Sequence, residues 1–190
     1  MSEQAVRRAS LVTVVALGLL LPACGSSAPS GQERLPSGWT RYQDRERGYS
    51  VSYPRTWYRA RKTLTPYLAA PREILALGTY PLHPGGERCA QFPVNALEDL
   101  GPTDAFLSVL EFSAPPNAPY RRRPAHFSLA LGSASEAPDC LTGSVRFVDR
   151  FIPFRDGGRA YYAFVALGRS APNETRRAVL DVLDSLRFDR

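Results

Sequence analysis

Three cysteines, two histidines and one arginine run carry most of the reactive chemistry in this chain of 190 residues. Cys24, Cys89 and Cys140 are thiols, able to form a disulfide, accept a covalent group or ligate a soft metal. No two of them stand at Cys-x-x-Cys spacing, so neither a thioredoxin-like pair nor a zinc knuckle is expected. His83 and Glu87 are residue types that suit zinc, and Cys89 follows closely. Two ligands do not hold a metal, and Cys89 has a better use, so no metal or cofactor is expected. Tyr120-Arg121-Arg122-Arg123 is a dense cationic run that can bind an anionic partner or lipid head groups. The competing reading is a solvated loop. No Gly-x-Ser-x-Gly elbow, Walker loop or dinucleotide-binding glycine pattern occurs. A Ser-His-Asp set assembled in space needs no such motif, so a hydrolase using His83 or His126 stands as an alternative.

The surroundings of Cys24 indicate where this chemistry takes place. Arg7 and Arg8 precede an apolar run of 11 residues, Leu11 to Leu21, and Pro22-Ala23 leads into Cys24. A basic stretch, a short apolar stretch and a small residue before a cut make a secretory signal. A spanning helix needs about 20 apolar residues, so this segment is too short to anchor the chain. The arrangement Leu20-Leu21-Pro22-Ala23-Cys24 resembles the lipobox of bacterial lipoproteins. In that group the thiol receives a diacylglycerol and becomes the first residue of the mature protein. The resemblance implies removal of residues 1–23 and acylation of Cys24, with two or three acyl chains holding the protein to the bilayer; two suffice for stable attachment. The competing reading is an ordinary signal peptide with Cys24 left as a free thiol. Residues 24–36 are small, polar and proline-rich, a composition that buries too little apolar surface to order itself. They read as a tether with a reach of roughly 20 Å.

Loss of residues 1–23 leaves 167 residues, and without the tether a single domain at 37–190 of ordinary size. Such a chain needs no metal or cofactor to fold. The net charge is +6, with Lys62 the only lysine among 24 basic residues. An exported location argues against a nucleic-acid partner and allows a weak attraction to anionic lipids. If Cys24 carries lipid, Cys89 and Cys140 remain, and two thiols in an exported protein suggest one disulfide. It would close a loop of about 50 residues and contribute roughly 4 kcal/mol.

The elements that position these residues follow from periodicity. Trp39–Gln43 and Tyr49–Tyr53 alternate apolar and polar residues around Gly48, as a hairpin does, and Pro54 ends the second strand. Glu73–Tyr80 reads as a strand buried on both faces. Asn95–Leu100 reads as a short helical turn stopped by Gly101, and Ala105–Phe112 as a strand. Ala114–Pro124 must be a surface loop, and His126–Leu131 reads as a short strand. Val145–Phe154 and Arg159–Leu167 form a hairpin turned at Arg155-Asp-Gly-Gly158, with Asp-Gly supplying the left-handed residues. The second of these strands is apolar on both faces, which predicts a central position. A helix from Pro172 to Ser185 carries Val179, Val182, Leu183 and Leu186 as an apolar stripe, followed by a short strand, Leu186–Phe188. The sum is an α+β domain: a mostly antiparallel sheet of six or seven strands with flanking helices, one of them long and C-terminal.

Two motifs resemble a known family. Tyr42-Gln-Asp44, Gly48-Tyr-Ser-Val-Ser-Tyr-Pro54 and Trp57 are similar to the start of PsbP-like domains, and Val179-Leu-Asp-Val-Leu-Asp-Ser-Leu-Arg-Phe188 to their closing helix and strand. That group includes an extrinsic photosystem II subunit and many exported bacterial lipoproteins. The resemblance implies a central antiparallel sheet with helices on both sides, and its motifs, being structural in character, support a fold and little else. It covers the two ends of the domain and not Thr63 to Cys140, and the group's metal-associated residues have no position-by-position match here. The expected function is a membrane-anchored, extracytoplasmic binding or accessory module for an envelope protein or complex. Alternatives are a carrier of a small apolar ligand or lipid, and a hydrolase.

Overall fold

Two strands that are apolar on both faces have to be covered twice, and the domain is arranged around them. β5 (Ala105–Phe112) and β7 (Arg159–Gly168) pair antiparallel along their full length, from Ala105 opposite Leu167 to Phe112 opposite Ala160. Alternate side chains enter opposite faces. Leu107, Val109, Tyr161, Ala163 and Val165 join one buried cluster, while Phe106, Phe164 and Ala166 join another. β4 (Arg72–Gly78) pairs with the free side of β5, β3 (Tyr58–Arg59) closes that edge, and β6 (Phe147–Asp156) closes the other, giving the order β3-β4-β5-β7-β6. A bulge between Glu73 and Leu75 lets the consecutive residues Ile74 and Leu75 enter the same cluster.

This computed structural model describes residues 35–84, 92–113, 120–134 and 147–189. They belong to one unit, Leu35–Arg190. The first cluster is completed by α2 (Asn173–Ser185) and by a three-stranded antiparallel sheet of β1 (Trp39–Asp44), β2 (Tyr49–Pro54) and β8 (Arg187–Phe188). Val179, Val182, Leu183 and Leu186 are all fully buried, so the expected stripe of α2 is the packed one. Each such side chain contributes roughly 1.5–3 kcal/mol. Ser185 ties the end of α2 to β2, accepting from the Ser52 N–H at 2.9 Å. The second cluster is completed by α1 (Val94–Glu98) through Ala96 and Leu97, together with Leu64, Tyr80 and Phe147. The Tyr80 hydroxyl donates to the Ala96 carbonyl.

Four expectations need correction. The strands form two sheets and number eight among the described residues, not one sheet of six or seven. β3 has no periodicity to announce it, because it is two residues long. His126–Leu131 is not a strand; Leu129–Leu131 is a 3-10 turn whose entry is capped by the Ser128 hydroxyl accepting from the Ala130 N–H. Gly101 is not the left-handed cap of α1, which ends two residues earlier at Asp99; its N–H instead donates to the Asp104 carboxylate at 3.0 Å. The β6–β7 turn is displaced by one residue: its two left-handed positions are Gly157 (φ 56°) and Gly158 (φ 81°), which makes a two-residue loop of the primed type. Asp156 is the last residue of β6.

Among the described residues no helix is long and apolar enough to cross a membrane.

Candidate functional site

The arginine run is not a free loop. The Arg155 N–H donates to the Arg121 carbonyl and the Arg123 N–H donates to the Arg155 carbonyl, each at 2.8 Å. Arg122 thereby forms a parallel bridge to Arg155, extending the five-stranded sheet beyond β6 for one residue. Tyr120 packs edge-on against Phe112, with ring centroids 5.6 Å apart. Partial burial there raises its hydroxyl pKa.

The three arginines then differ in role. Arg121 and Arg122 are exposed. Arg123 turns inward, with 15% of its side chain exposed. Its Nη2 donates to the Leu183 and Asp184 carbonyls, each at 3.0 Å. These carbonyls lie in the last turn of α2, where a cation is favoured; Leu183 O also accepts from the Leu186 N–H, and Asp184 O from Arg187 Nη1. Its Nη1 reaches Asp156 Oδ2 at 3.4 Å, and its guanidinium lies 5.6 Å from the Phe127 ring centroid. Burial lowers its pKa, Asp156 opposes that, and an arginine stays charged regardless.

A cleft of about 730 Å³ opens between Arg122–Ala125 on one wall and Arg155–Gly158 on the other. Arg122, Arg123 and Arg155 contribute three cations, and Asp156, the one acid in the lining, is already paired with Arg123. The Nε atoms of Arg123 and Arg155 are buried without an acceptor among the described residues. No Cβ stands at Gly157 or Gly158, so the lip of the cleft is backbone. Such a site suits a carboxylate or phosphate, because guanidinium groups offer paired N–H donors in a fixed plane.

A second arginine cluster lies on the other side of Gly158 and is already satisfied. Glu111 accepts from Arg72 Nη2 at 2.8 Å and from Arg159 Nε at 2.5 Å. Burial alone would raise the Glu111 pKa, but hydrogen bonds from Arg159 and Arg72 outweigh it and hold the carboxyl below its ordinary value. Arg159 also donates to the Arg47 carbonyl at 3.2 Å, joining the β1–β2 turn to β7. This cluster braces the two sheets against each other. In the same sheet Glu73 is the opposite case. It accepts from the Leu64 N–H at 3.1 Å and from the Thr65 hydroxyl at 3.2 Å, yet burial still raises its pKa.

The remaining candidates disperse. Cys24, Cys89, Cys140 and Glu87 lie outside the described residues, as do the signal and the tether up to residue 34. His83 is exposed. His126 is 87% exposed, and its Nδ1 lies 3.0 Å from Asp184 Oδ2. The other Asp184 oxygen accepts from the Phe127 N–H at 2.7 Å, so this carboxylate pins the segment to the end of α2. Ser185, next in sequence, is turned away toward Ser52 and Val182. Among the described residues no group of three His, Cys, Asp or Glu side chains could hold a metal. Sequence reasoning missed Arg155 as the cleft's opposite wall. The signal was available in its place beside the glycine turn, where a residue ending an edge strand meets whatever the preceding loop lays against it.

No family model matches the chain and no curated protein matches it. Among solved structures it is similar to the solution structure of cyanobacterial PsbP (CyanoP) from Synechocystis sp. PCC 6803, at 13% identity and a TM-score of 0.41, covering 86% of this chain and 99% of that one.

Arg123→Ala is expected to cost about 2 kcal/mol, since it strips a charged donor from three acceptors. Arg122→Ala is expected to change stability by less than about 0.5 kcal/mol. Urea unfolding of the two variants checks both. Glu111 gives a pH dependence. Its folded pKa is depressed, so its contribution is present above the unfolded value and lost as pH falls through the folded one. Glu111→Gln should therefore be less stable than the parent by about 2 kcal/mol at neutral pH. The gap should narrow once pH drops below the ordinary value of 4.5. Denaturation midpoints at a series of pH values would show this; a gap independent of pH would contradict it.

Proposed function

We propose that this chain is a lipid-anchored, extracytoplasmic accessory module that docks an acidic segment of an envelope protein in the Arg122–Arg155 cleft. The observation that carries the reading is the division of labour in the arginine run. Arg123 is consumed in holding the loop to α2 and Asp156. This presents Arg121 and Arg122 on a framed backbone rather than on a loose loop. Rigid presentation lowers the entropy cost of binding. A protein partner fits better than a small ligand, because the cleft walls are polar and cationic with little apolar area to enclose a small molecule. The anchor is assigned to acylated Cys24 on its lipobox-like surroundings, which leaves Cys89 and Cys140 for a disulfide.

Among the described residues the His126–Asp184 pair lies beside no hydroxyl held for attack, and it sits on the surface, open to water. Neither the carrier nor the hydrolase reading gains an observation of its own.

Crosslinking in intact cells, followed by capture of the full-length protein and mass spectrometry, tests the docking claim. The expected result is one stoichiometric envelope protein with an acidic exposed segment, lost in an Arg121→Glu/Arg122→Glu variant. A small molecule or lipid co-purifying in place of a protein would move the reading to a carrier. In the same cells Cys24→Ser should leave salt-washed membranes; retention would remove the acyl anchor. The disulfide is checked by intact mass before and after reduction, with a gain of two hydrogens expected and no change contradicting it.

A further inference from the structure

A second cationic surface lies near the point where the chain enters the domain. From Gly48 to Pro71 the sequence carries Arg55, Arg59, Arg61 and Lys62 and no carboxylate at all. Part of this stretch borders a groove of about 430 Å³, whose walls are Tyr58–Lys62 with Leu64 on one side and Pro81, Leu82 and Pro84 on the other. Arg61 and Lys62 are exposed and pair with no carboxylate among the described residues. Arg59 stacks over the Tyr42 ring at 3.7 Å. Tyr58 and Tyr67 are 48% and 60% exposed, two of the five large hydrophobic side chains that stand out from the described surface.

One bland account is an edge guard. β3 is the edge of the five-stranded sheet, and cations on an edge strand discourage pairing with another chain. A guard needs charge alone. It does not need an exposed tyrosine and an apolar groove beside the charge, whereas cations flanking an amphipathic aromatic are what a lipid head-group region accommodates.

The chain's connectivity points the same way. The described domain begins at Leu35, and its first residues are held against Arg55: the Arg55 N–H donates to the Gly38 carbonyl at 2.8 Å, and Arg55 Nε to the Trp39 carbonyl at 3.2 Å. Gly38 and Trp39, among the first described residues, therefore lie beside Arg55, the first cation of the stretch. We infer that the Tyr58–Lys62 groove is the face by which the domain seats on an anionic lipid surface. This goes beyond the docking reading, and it does not require the acyl anchor, because its test is made without one. A face that holds the domain down on lipid leaves the arginine cleft as a separate surface for a protein.

The assay is co-sedimentation with vesicles of the chain from residue 24 onward bearing Cys24→Ser, which retains the whole unit from Leu35. The expected result is binding to vesicles of phosphatidylglycerol and phosphatidylcholine in equal parts, falling as salt rises, with little binding to phosphatidylcholine alone. Arg61→Glu/Lys62→Glu should weaken that binding about tenfold or more. Tyr58→Ala should weaken it less, and Arg121→Glu/Arg122→Glu should leave it unchanged. No binding to the anionic vesicles, equal binding to both compositions, or loss with the Arg121 and Arg122 changes but not the Arg61 and Lys62 changes would overturn the inference. Because this protein has no acyl chain, such a failure would leave the Cys24 reading untouched, and that reading fails separately in the membrane fractionation of intact cells.

Discussion

The pairing of β5 with β7 is the constraint from which the rest follows. Both strands place apolar side chains on both faces, so neither can be exposed to water. Each face then demands a cover, because apolar area left in water costs about 25 cal/mol per Å². α2 and the smaller sheet cover one side, and α1 with the segments around Leu64 and Tyr80 covers the other. Gly168 marks how closely the sheet end is approached: a Cβ there would stand 2.3 Å from the Pro102 carbonyl oxygen. The sheet edges are left to β3 and β6, and both cationic surfaces sit at those edges.

The arginines divide by what surrounds them. Arg72 and Arg159 spend their charge on the buried Glu111, and Arg123 spends its charge on the carbonyls that end α2. These groups hold elements together. Arg121, Arg122, Arg61 and Lys62 keep theirs in water at opposite edges of the sheet. Exposed cations without carboxylates are worth little to stability, and they are suited to attracting anionic partners over distances near the Debye length.

Much of the scaffold was legible in the residues. The stripe of α2, the two-faced apolar pattern of Arg159–Leu167 and the hairpin around Gly48 each follow from a strong period, and each lies where periodicity placed it. The division into two sheets was not legible, because the end of β2 and the start of β4 differ in partner, not in pattern. His126–Leu131 misled because Phe127 and Leu129 alternate as in a strand, while the Ser128 hydroxyl offers the backbone a local turn that periodicity does not register. Of the candidate site, the cationic run was visible and its framing was not. That Arg123 would be drawn inward depends on Asp156 and on the end of α2, 60 residues further along the chain. The three cysteines lie outside the described residues, so their assignments still rest on the sequence.

The central claim is that one edge of the sheet meets a protein while the other meets lipid. Site-specific photocrosslinking in intact cells tests it most directly, with a photoreactive phenylalanine derivative placed once at Ala125 in the arginine cleft and once at Tyr58 in the groove. The account predicts a single protein adduct from Ala125 and lipid adducts from Tyr58. Lipid adducts from Ala125 with a protein adduct from Tyr58 would contradict it.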